Sequence, residues 1–388
     1  MGNARNIMVV AGEHSGDRHA AALVRAFGQT GATASWFGAG GPALAGAGAE
    51  ILVPMERLAV VGIGEVLTRL PSLWRDMGLL REALKARRPD AVVLVDFPDF
   101  NFRLARKARA LGIPVVYYIT PQVWAWRKGR TRFLRDTVDL CLVIFPFEET
   151  FLRDRGVRAR FVGHPLAELT GPPSARLAFF ARHELPPDRP AVALLPGSRA
   201  SEVRRNLPIL AEAGALLAGR RPGISLLVPW AEGLHESLWE PFAGGLLRRV
   251  VGEYLDVLGH ADAAAVASGT ATLEAALMGV PQVIVYRVKG ITYEVGRRLV
   301  KIPRVGLPNV VLGRDAVPEL IQDAFTGPKV CDELERMLEG GAEERNRAAA
   351  IAAEVRNKLG EGQASARAAR ALVEFVEGIR RPSGPCRP

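Results

Sequence analysis

Small and hydroxyl-bearing residues open the tract SGTATLEAALMGVP, which spans 268–281 and is followed at once by the apolar run QVIVY. Such residues at the start of an apolar-periodic segment predict a helix whose first backbone N–H groups are free to bind an anion. Glu274 would lie one turn inside this helix. A diphosphate at the helix start, with a carboxylate one turn along for a ribose hydroxyl, would form a nucleotide-sugar site. An ordinary capped helix explains the tract equally well.

A second candidate anion site lies in the tract LPGSRASEVRRNLP, which spans 195–208. It reads as a strand, a glycine turn and then Arg199 at the entrance of a helix. A guanidinium group beside exposed loop N–H groups can bind a diphosphate and offset the charge that grows on a leaving nucleotide. The alternative is a surface arginine in a salt bridge. Because this loop also follows a strand, we favour the phosphate interpretation.

Polar residues also follow the first predicted strand, in the sequence AGEHSGD at 11–17. Glu13, Ser15 and Asp17 offer hydrogen-bonding groups at the carboxyl end of that strand, where α/β proteins bind ligands. The alternative is that Ser15 or Asp17 only caps the next helix. The spacing is not GxGxxG, so a dinucleotide is not predicted.

Two aspartates follow a later strand, in the sequence VLVDFPDFN at 93–101. A carboxylate placed there could take a proton from a sugar hydroxyl group as a general base. We favour Asp99 for this role and expect Asp96 to orient the loop. The alternative is that Asp99, which follows Pro98, only caps the helix that begins there.

An apolar stripe at helical spacing runs from 63 to 84 and includes Leu73 and Trp74. We expect Pro71 to break this segment into two helices. A second aromatic and basic segment contains Trp124 and Trp126. Both segments either pack into a core or lie on a membrane surface, where each basic residue contributes about 1 kcal/mol.

Composition narrows the classes of partner. The chain has 388 residues, 48% of them apolar, and a net charge of +10, which indicates anionic partners such as nucleic acid, a membrane surface or phosphorylated substrates. No apolar run approaches the roughly 20 residues of a spanning helix. Three cysteines without a CxxC spacing indicate neither a disulfide framework nor a zinc site. DxD, HExxH and Walker A motifs are absent, as is any recognised nucleic-acid motif.

Strand-length apolar runs alternate with helix-periodic segments in both halves of the chain, which predicts parallel sheets covered by helices. The fold class is therefore α/β, with two Rossmann-like domains facing a cleft. We expect an N-terminal domain over 1–170, a proline-rich linker over 171–190, a C-terminal domain over 191–350, and a C-terminal helix and tail over 351–388 that pack back on the first domain. Predicted strands are 6–11, 35–38, 91–96, 114–119, 140–144, 160–162, 191–195, 224–228, 263–267 and 283–286.

Taken in order, the motifs AGEHSGD, VDFPDFN, YYITPQVWAWRKGR, FVGHPLAE, LLPGSRASEV, SGTATLEAALMGVP and LPNVV resemble those of the lipid A disaccharide synthases. These bacterial enzymes are inverting glycosyltransferases of the GT-B fold. The resemblance implies that UDP-2,3-diacylglucosamine is joined to 2,3-diacylglucosamine 1-phosphate, giving a β(1→6) disaccharide and UDP. It also implies a cytoplasmic enzyme, peripherally associated with the inner membrane, that uses no metal or other cofactor and binds no nucleic acid.

Position by position, the resemblance makes Asp99 the base for the acceptor 6-hydroxyl and places Glu13 and Ser15 on the cleft side of the first domain. It assigns the donor site to Arg199, Glu274 and Asn309, with Ser268, Gly269 and Thr270 meeting the phosphates. Leu73, Trp74, Trp124 and Trp126 would touch the acceptor or lipid. Two alternatives remain open: another GT-B enzyme such as a UDP-N-acetylglucosamine 2-epimerase, and a basic nucleic-acid-binding protein.

Overall fold

The computed structural model describes residues 5–58, 63–124, 129–168, 171–231, 233–287, 304–360 and 362–379, with backbone only for 63–71. The chain forms two compact units. The first comprises Met1–Pro165 and Gly362–Pro388, and the second comprises Leu166–Glu361.

The first unit is built on a seven-stranded parallel sheet with the order β3-β2-β1-β4-β5-β6-β7. Its central strands are apolar throughout, as in AVVLV at 91–95, because helices cover both faces of the sheet. The order doubles back at β1, as in doubly wound α/β folds. The strands are Arg5–Ala11 (β1), Ala34–Gly40 (β2), Ala49–Pro54 (β3), Ala91–Val95 (β4), Val115–Tyr118 (β5), Leu140–Val143 (β6) and Ala159–Phe161 (β7).

Helices of the first unit pack on the two faces of this sheet and form two apolar cores. One core contains side chains of α4 and α5, and the other contains side chains of α1 and of the last helix, α14. The helices are His14–Gln29 (α1), Pro42–Gly46 (α2), Met55–Leu58 (α3), Ile63–Arg87 (α4), Pro98–Ala110 (α5), Arg130–Thr137 (α6), Pro146–Arg153 (α7) and Ala364–Gly378 (α14).

The second unit repeats the architecture with a six-stranded parallel sheet of order β10-β9-β8-β11-β12-β13. Its strands are Ala191–Leu195 (β8), Ser225–Trp230 (β9), Leu247–Val251 (β10), Ala263–Ala267 (β11), Gln282–Tyr286 (β12) and Glu319–Ile321 (β13). Its α-helices are Arg176–Arg182 (α8), Ala200–Arg220 (α9), Tyr254–Gly259 (α10), Thr270–Leu277 (α11), Leu307–Leu312 (α12) and Gly327–Leu359 (α13). Short 3-10 turns occupy Pro165–Glu168, Glu236–Leu238, Glu240–Phe242 and Gln322–Ala324.

The stretch 171–190 differs from the linker that its prolines predict. Helix α8 lies within it, and Phe179 and Phe180 are buried in a core of the second unit together with side chains of β8 and β11. Two adjacent aromatic side chains supply enough apolar surface to anchor the segment, whatever turn signals surround it. The stretch is therefore part of the second unit.

Two helix predictions also need correction. Helix α4 continues from Ile63 to Arg87, so Pro71 does not divide it. The C-terminal helix expected from 351 onward is instead divided between two helices, because α13 ends at Leu359 and Gly360 takes the left-handed conformation (φ 88°) that terminates helices. The second of these, α14, packs against α1 in the first unit.

Candidate active site

A cavity of about 390 Å³ opens at the carboxyl edge of the second sheet. Its walls are the loops that follow β8, β9 and β11, together with side chains of α10 and α11. Parallel strands present all their carboxyl ends at one edge, which is why loops far apart in the sequence meet there. The cavity brings together most of the residues predicted for the donor side: Arg199, Ser268, Gly269, Thr270 and Glu274.

The loop after β8 is shaped by Gly197 and Glu202. Gly197 has φ +111°, and a Cβ atom at this position would lie 2.4 Å from Oε2 of Glu202, so only glycine fits. The Glu202 carboxylate accepts hydrogen bonds from the backbone N–H groups of Ser198 and Arg199, each at 3.2 Å. It also accepts one from the Arg199 guanidinium, whose side chain is still 81% exposed. Arg199 is thus tethered at the cavity wall and remains accessible to an anion.

The loop after β11 leads directly into α11. Both the backbone and the side chain of Ser268 are fixed by hydrogen bonds. Its N–H donates to the carbonyl of Val285 at 2.9 Å, and its hydroxyl donates to the carbonyl of Val305 at 3.1 Å. Gly269 and Thr270 are exposed where the helix begins. The first N–H groups of a helix have no partner within it, and the helix dipole there favours negative charge. This corner of the cavity suits a phosphate group.

Glu274 faces the cavity one turn into α11. Its Oε2 accepts a hydrogen bond of 2.6 Å from the hydroxyl of Tyr254, which also lines the cavity. Burial, and after it the charge of Glu274, raises the pKa of Tyr254, so the phenol stays protonated and donates. Sequence reasoning missed Tyr254, Glu202 and Trp230 as cavity residues. The signal that could have found the tyrosine and the tryptophan is their position at the carboxyl side of strands β10 and β9.

The structure places Asn309 differently from the prediction. This side chain is fully buried in α12 and is not among the residues that line the cavity. Its Nδ2 donates to the carbonyl of Val317 at 2.7 Å and to Glu319 at 2.8 Å, while its Oδ1 accepts from the N–H groups of Ala316 and Val317. The amide therefore fixes the turn before β13, and the donor contact of Asn309 stays a prediction.

In the first unit, Glu13 and Ser15 are exposed at the carboxyl end of β1. Glu13 is the N-cap residue of α1 but forms no side-chain cap hydrogen bond, so its carboxylate is not consumed by the helix. Asp17 is different, because its buried carboxylate accepts hydrogen bonds from the N–H groups of Gly41, Ala43 and Leu44. Asp17 lies within α1 and caps α2, and not the helix that directly follows β1, so its role is structural.

Asp96 lies in a strained turn after β4. Asp96 and Phe97 both adopt left-handed conformations, with φ of 46° and 49°. Two buried side chains hold this turn, because Tyr117 Oη and Asn101 Nδ2 each donate to the Asp96 carbonyl at 2.7 Å. Burial, and after it the charge of Glu13, raises the pKa of the Asp96 carboxyl to about 6. Asp96 and Glu13 are therefore close enough to repel one another.

Asp99 occupies the first turn of α5 and its side chain is 82% exposed. Its Oδ1 accepts a hydrogen bond of 2.6 Å from Arg130, the first residue of α6. The Arg130 guanidinium in turn lies 5.2 Å from the centre of the Phe102 ring. The first unit thus presents one accessible carboxylate, Asp99, that is held by an arginine, and a second carboxyl group, Asp96, whose pKa is raised.

Comparisons with known proteins decide the family. The model of the lipid-A-disaccharide synthetase family matches residues 7–374. A lipid-A-disaccharide synthase from Myxococcus xanthus is 45% identical over 379 residues, which cover 97% of this chain and 99% of that protein. The chain belongs to this family. This confirms the resemblance drawn from the motifs and makes the chain a glycosyltransferase of lipid A biosynthesis.

Solved structures agree on the fold of this family member. A UDP-GlcNAc 2-epimerase from Neisseria meningitidis, solved with UDP-GlcNAc bound, has a TM-score of 0.64 at 12% identity and covers 96% of this chain and 100% of its own. CalG4, the calicheamicin glycosyltransferase, has a TM-score of 0.57 at 17% identity, with 97% and 99% covered. These identities speak for the fold alone, and the two parallel-sheet domains confirm the predicted GT-B class. The family match does not favour the epimerase alternative.

The residues predicted for acceptor or lipid contact fall into different environments. Trp74 is 60% exposed, whereas Leu73 is half-buried against the core below α4. Trp124 packs edge-on to Phe147, and its indole N–H donates to Glu148 at 2.9 Å. Trp126 lies outside the described residues. Of these four predicted contact residues, only Trp74 is seen to expose a large apolar surface.

Within the described ranges, no helix is both long and apolar enough to cross a bilayer. The same part of the chain contains no cluster of three or more His, Cys, Asp or Glu side chains that could hold a metal ion.

Proposed function

We propose that this family member transfers the diacylglucosamine unit of UDP-2,3-diacylglucosamine to the 6-hydroxyl of 2,3-diacylglucosamine 1-phosphate. The products are a β(1→6)-linked tetraacyl disaccharide 1-phosphate and UDP. The observation that carries the proposal is that Arg199, the loop 268–270 and Glu274 line the same cavity. These groups suit the two phosphates and the ribose of a UDP-sugar.

On the donor side, the bond between the anomeric carbon and the diphosphate oxygen breaks, and UDP leaves with the electron pair. Arg199 and the N–H groups at the start of α11 would supply positive charge where that negative charge develops. The Glu274 carboxylate, oriented by the Tyr254 hydroxyl, would accept hydrogen bonds from the ribose. Tyr254 thereby joins the donor site as a positioning residue.

On the acceptor side, we propose Asp99 as the general base. The acceptor oxygen forms the new bond to the anomeric carbon from the face opposite the diphosphate, so the configuration inverts, and its proton passes to the Asp99 carboxylate. The exposure of Asp99 allows a hydroxyl on a lipid to reach it, and the contact with Arg130 holds its carboxylate in one orientation. Asp96 is half-buried and better suited to shaping the turn that precedes α5.

We further propose that the enzyme acts at the cytoplasmic face of the inner membrane, as a peripheral protein. Its acylated substrates reside in a bilayer, and the net charge of +10 suits an anionic surface. The exposed Trp74 on α4, with Arg75 beside it in sequence, supports such contact in the first unit. A tryptophan ring is well suited to the interface between headgroups and acyl chains.

The test is incubation of the purified chain with both acylated substrates, followed by mass spectrometry of the lipid product and NMR of its new anomeric centre. We expect a tetraacyl disaccharide 1-phosphate with a β linkage. Asp99→Asn should lower turnover by about 10²- to 10⁴-fold and Arg199→Ala by about 10²- to 10³-fold. Asp154→Asn, which alters an exposed carboxylate elsewhere in the first unit, is the control.

Two outcomes would count against the proposal. Conversion of a UDP-sugar to its epimer without disaccharide would indicate the chemistry of the structural neighbour from Neisseria meningitidis. A wild-type rate in Asp99→Asn would remove this residue as the base and leave Asp96 as the next carboxylate to replace.

A further inference from the structure

An arginine-bearing surface lies beside Asp99 in the first unit, on one side of α5. The guanidinium of Arg103 lies 5.5 Å from the ring centre of the exposed Trp74. That of Arg106 lies 5.0 Å from the ring centre of Phe133 in α6. We call the side chains of Asp99, Arg103, Arg106 and Arg130 the α5–α6 surface.

Aromatic rings, not carboxylates, position Arg103 and Arg106. Neither forms an ion pair with any residue that the structure describes, whereas Arg109 on the same helix binds Asp139 at 2.8 Å. A ring beneath the plane of a guanidinium fixes its orientation without using its N–H donors. Arg103 and Arg106 are therefore oriented, exposed cations whose donors are available to a ligand.

The spacing along α5 relates these cations to the proposed base. Asp99 and Arg103 are four residues apart, so they lie on the same side of the helix, separated by about 6 Å of rise. Arg106 follows about one turn later on the same side. In a hexose, the 6-hydroxyl and the anomeric oxygen lie at opposite ends of the sugar. The distance between these two oxygens is comparable to the rise of one helical turn. A sugar whose 6-hydroxyl meets Asp99 would thus bring its anomeric substituent to Arg103.

We propose that Arg103 and Arg106 bind the anomeric phosphate of the acceptor, and so determine that the acceptor is a sugar 1-phosphate. This inference rests on the proposed function. Guanidinium groups bind phosphate oxygens through pairs of charge-assisted hydrogen bonds, which suits a phosphate monoester. Trp74, in contact with Arg103, would lie where the phosphorylated end of the acceptor meets its acyl chains. The phosphate headgroup of a bilayer lipid has the same chemistry and is the competing source.

The experiment measures the affinity of two short-chain acceptors by calorimetry in neutral detergent. One carries the 1-phosphate, and the other has a free anomeric hydroxyl group. For the wild-type chain we expect the phosphorylated acceptor to bind at least about 100-fold more tightly. Arg103→Gln with Arg106→Gln should abolish this preference, at about 10- to 100-fold per arginine, without changing the affinity for the unphosphorylated acceptor. Lysine at both positions should restore part of the preference, because the charge returns without the fork of donors.

Arg155→Gln is the matched control. Arg155 is another exposed arginine of the first unit whose guanidinium lies over an aromatic ring, at 3.9 Å from the centre of Phe151, but it is not on α5 or α6. We expect this variant to keep the wild-type preference. Thermal unfolding of each variant verifies that the fold is intact.

Three results would overturn the inference. The preference could survive the double glutamine variant, or both acceptors could lose affinity equally. The loss could also appear only when anionic lipid is added to the detergent, which would assign the α5–α6 surface to bilayer headgroups. If the wild-type chain binds both acceptors but forms no disaccharide with UDP-2,3-diacylglucosamine, the proposed function fails while the phosphate site stands.

Discussion

Replacement of Asp96 by asparagine should stabilise the protein, and more so at high pH than at low pH. Partial burial of the Asp96 carboxyl, and after it the charge of Glu13, raises its pKa from the ordinary value of 3.8 to about 6. Between these two values the folded protein holds a proton that the unfolded chain has released, so stability falls as the pH rises. Above pH 6 the whole penalty of burying the charged carboxylate is present.

The magnitude follows from the size of that pKa change. Roughly two pH units at 1.36 kcal/mol each correspond to about 3 kcal/mol of destabilisation once Asp96 is ionised. Asparagine keeps the shape of the side chain without its charge, so the variant should gain about 3 kcal/mol near pH 8 but only about 1 kcal/mol near pH 4.5.

The assay is denaturant unfolding of the wild type, Asp96→Asn and Glu13→Gln at both pH values, followed by a probe of the first unit. Glu13→Gln removes the second cause of the raised pKa of Asp96. It should therefore give only part of the stabilisation expected from Asp96→Asn. Asp154→Asn, an exposed carboxylate of the same unit, should change stability by no more than about 0.5 kcal/mol at either pH. An equal gain from Asp96→Asn at pH 4.5 and pH 8 would refute the reasoning, because it would show that the proton affinity of Asp96 is not raised by folding.

Three further predictions concern the donor cavity and the membrane. Tyr254→Phe removes the hydroxyl that orients Glu274 and should weaken UDP binding by about 10-fold in calorimetry, with the fold retained. Unchanged UDP affinity would show that Tyr254 only packs in the cavity wall and does not position Glu274. Asn309→Ala should lower the free energy of unfolding by about 2 to 4 kcal/mol, because it leaves buried backbone groups unpaired, and the folded variant should retain its affinity for UDP. A loss of UDP affinity without a loss of stability would instead support Asn309 as a ligand contact. Trp74→Glu should reduce co-sedimentation with anionic vesicles, whereas Trp124→Phe should not, since the Trp124 indole is engaged within the protein; equal binding of all three proteins would exclude Trp74 from the membrane contact.

The long strands and the cavity loops were predictable from sequence for one reason. Buried parallel strands are continuous apolar runs, and ligand loops follow their carboxyl ends. The strands that were missed, β3, β10 and β13, all lie at sheet edges, where residues are partly exposed and the apolar run is broken. The strand-end rule therefore predicted Arg199 and the 268–270 loop, which follow the central strands β8 and β11, but it gave no sign of the edge strands.

Two kinds of site residue escaped the sequence for physical reasons. Tyr254 follows β10, a strand that the sequence did not reveal, and no local pattern predicts its 2.6 Å contact with Glu274, which joins the two helices α10 and α11. Asn309 looks the same in sequence whether its amide faces a ligand or the protein interior, so its four side-chain hydrogen bonds within the protein could not be predicted. The resemblance gave the family, and the packing shows a structural role for this residue that the motif does not reveal.

The return of α14 to the first unit has a consequence for the order of events during synthesis. Leu372 and Phe375 complete an apolar core whose other members, such as Val9 and Leu23, belong to the first strand and helix of the chain. About 200 residues of the second unit separate these pieces. At 5 to 20 residues per second, a ribosome needs roughly 10 to 40 s to make that insert. Throughout that interval α1 alone covers this face of the nascent N-terminal sheet, and the apolar side chains that α14 will cover stay available to chaperones.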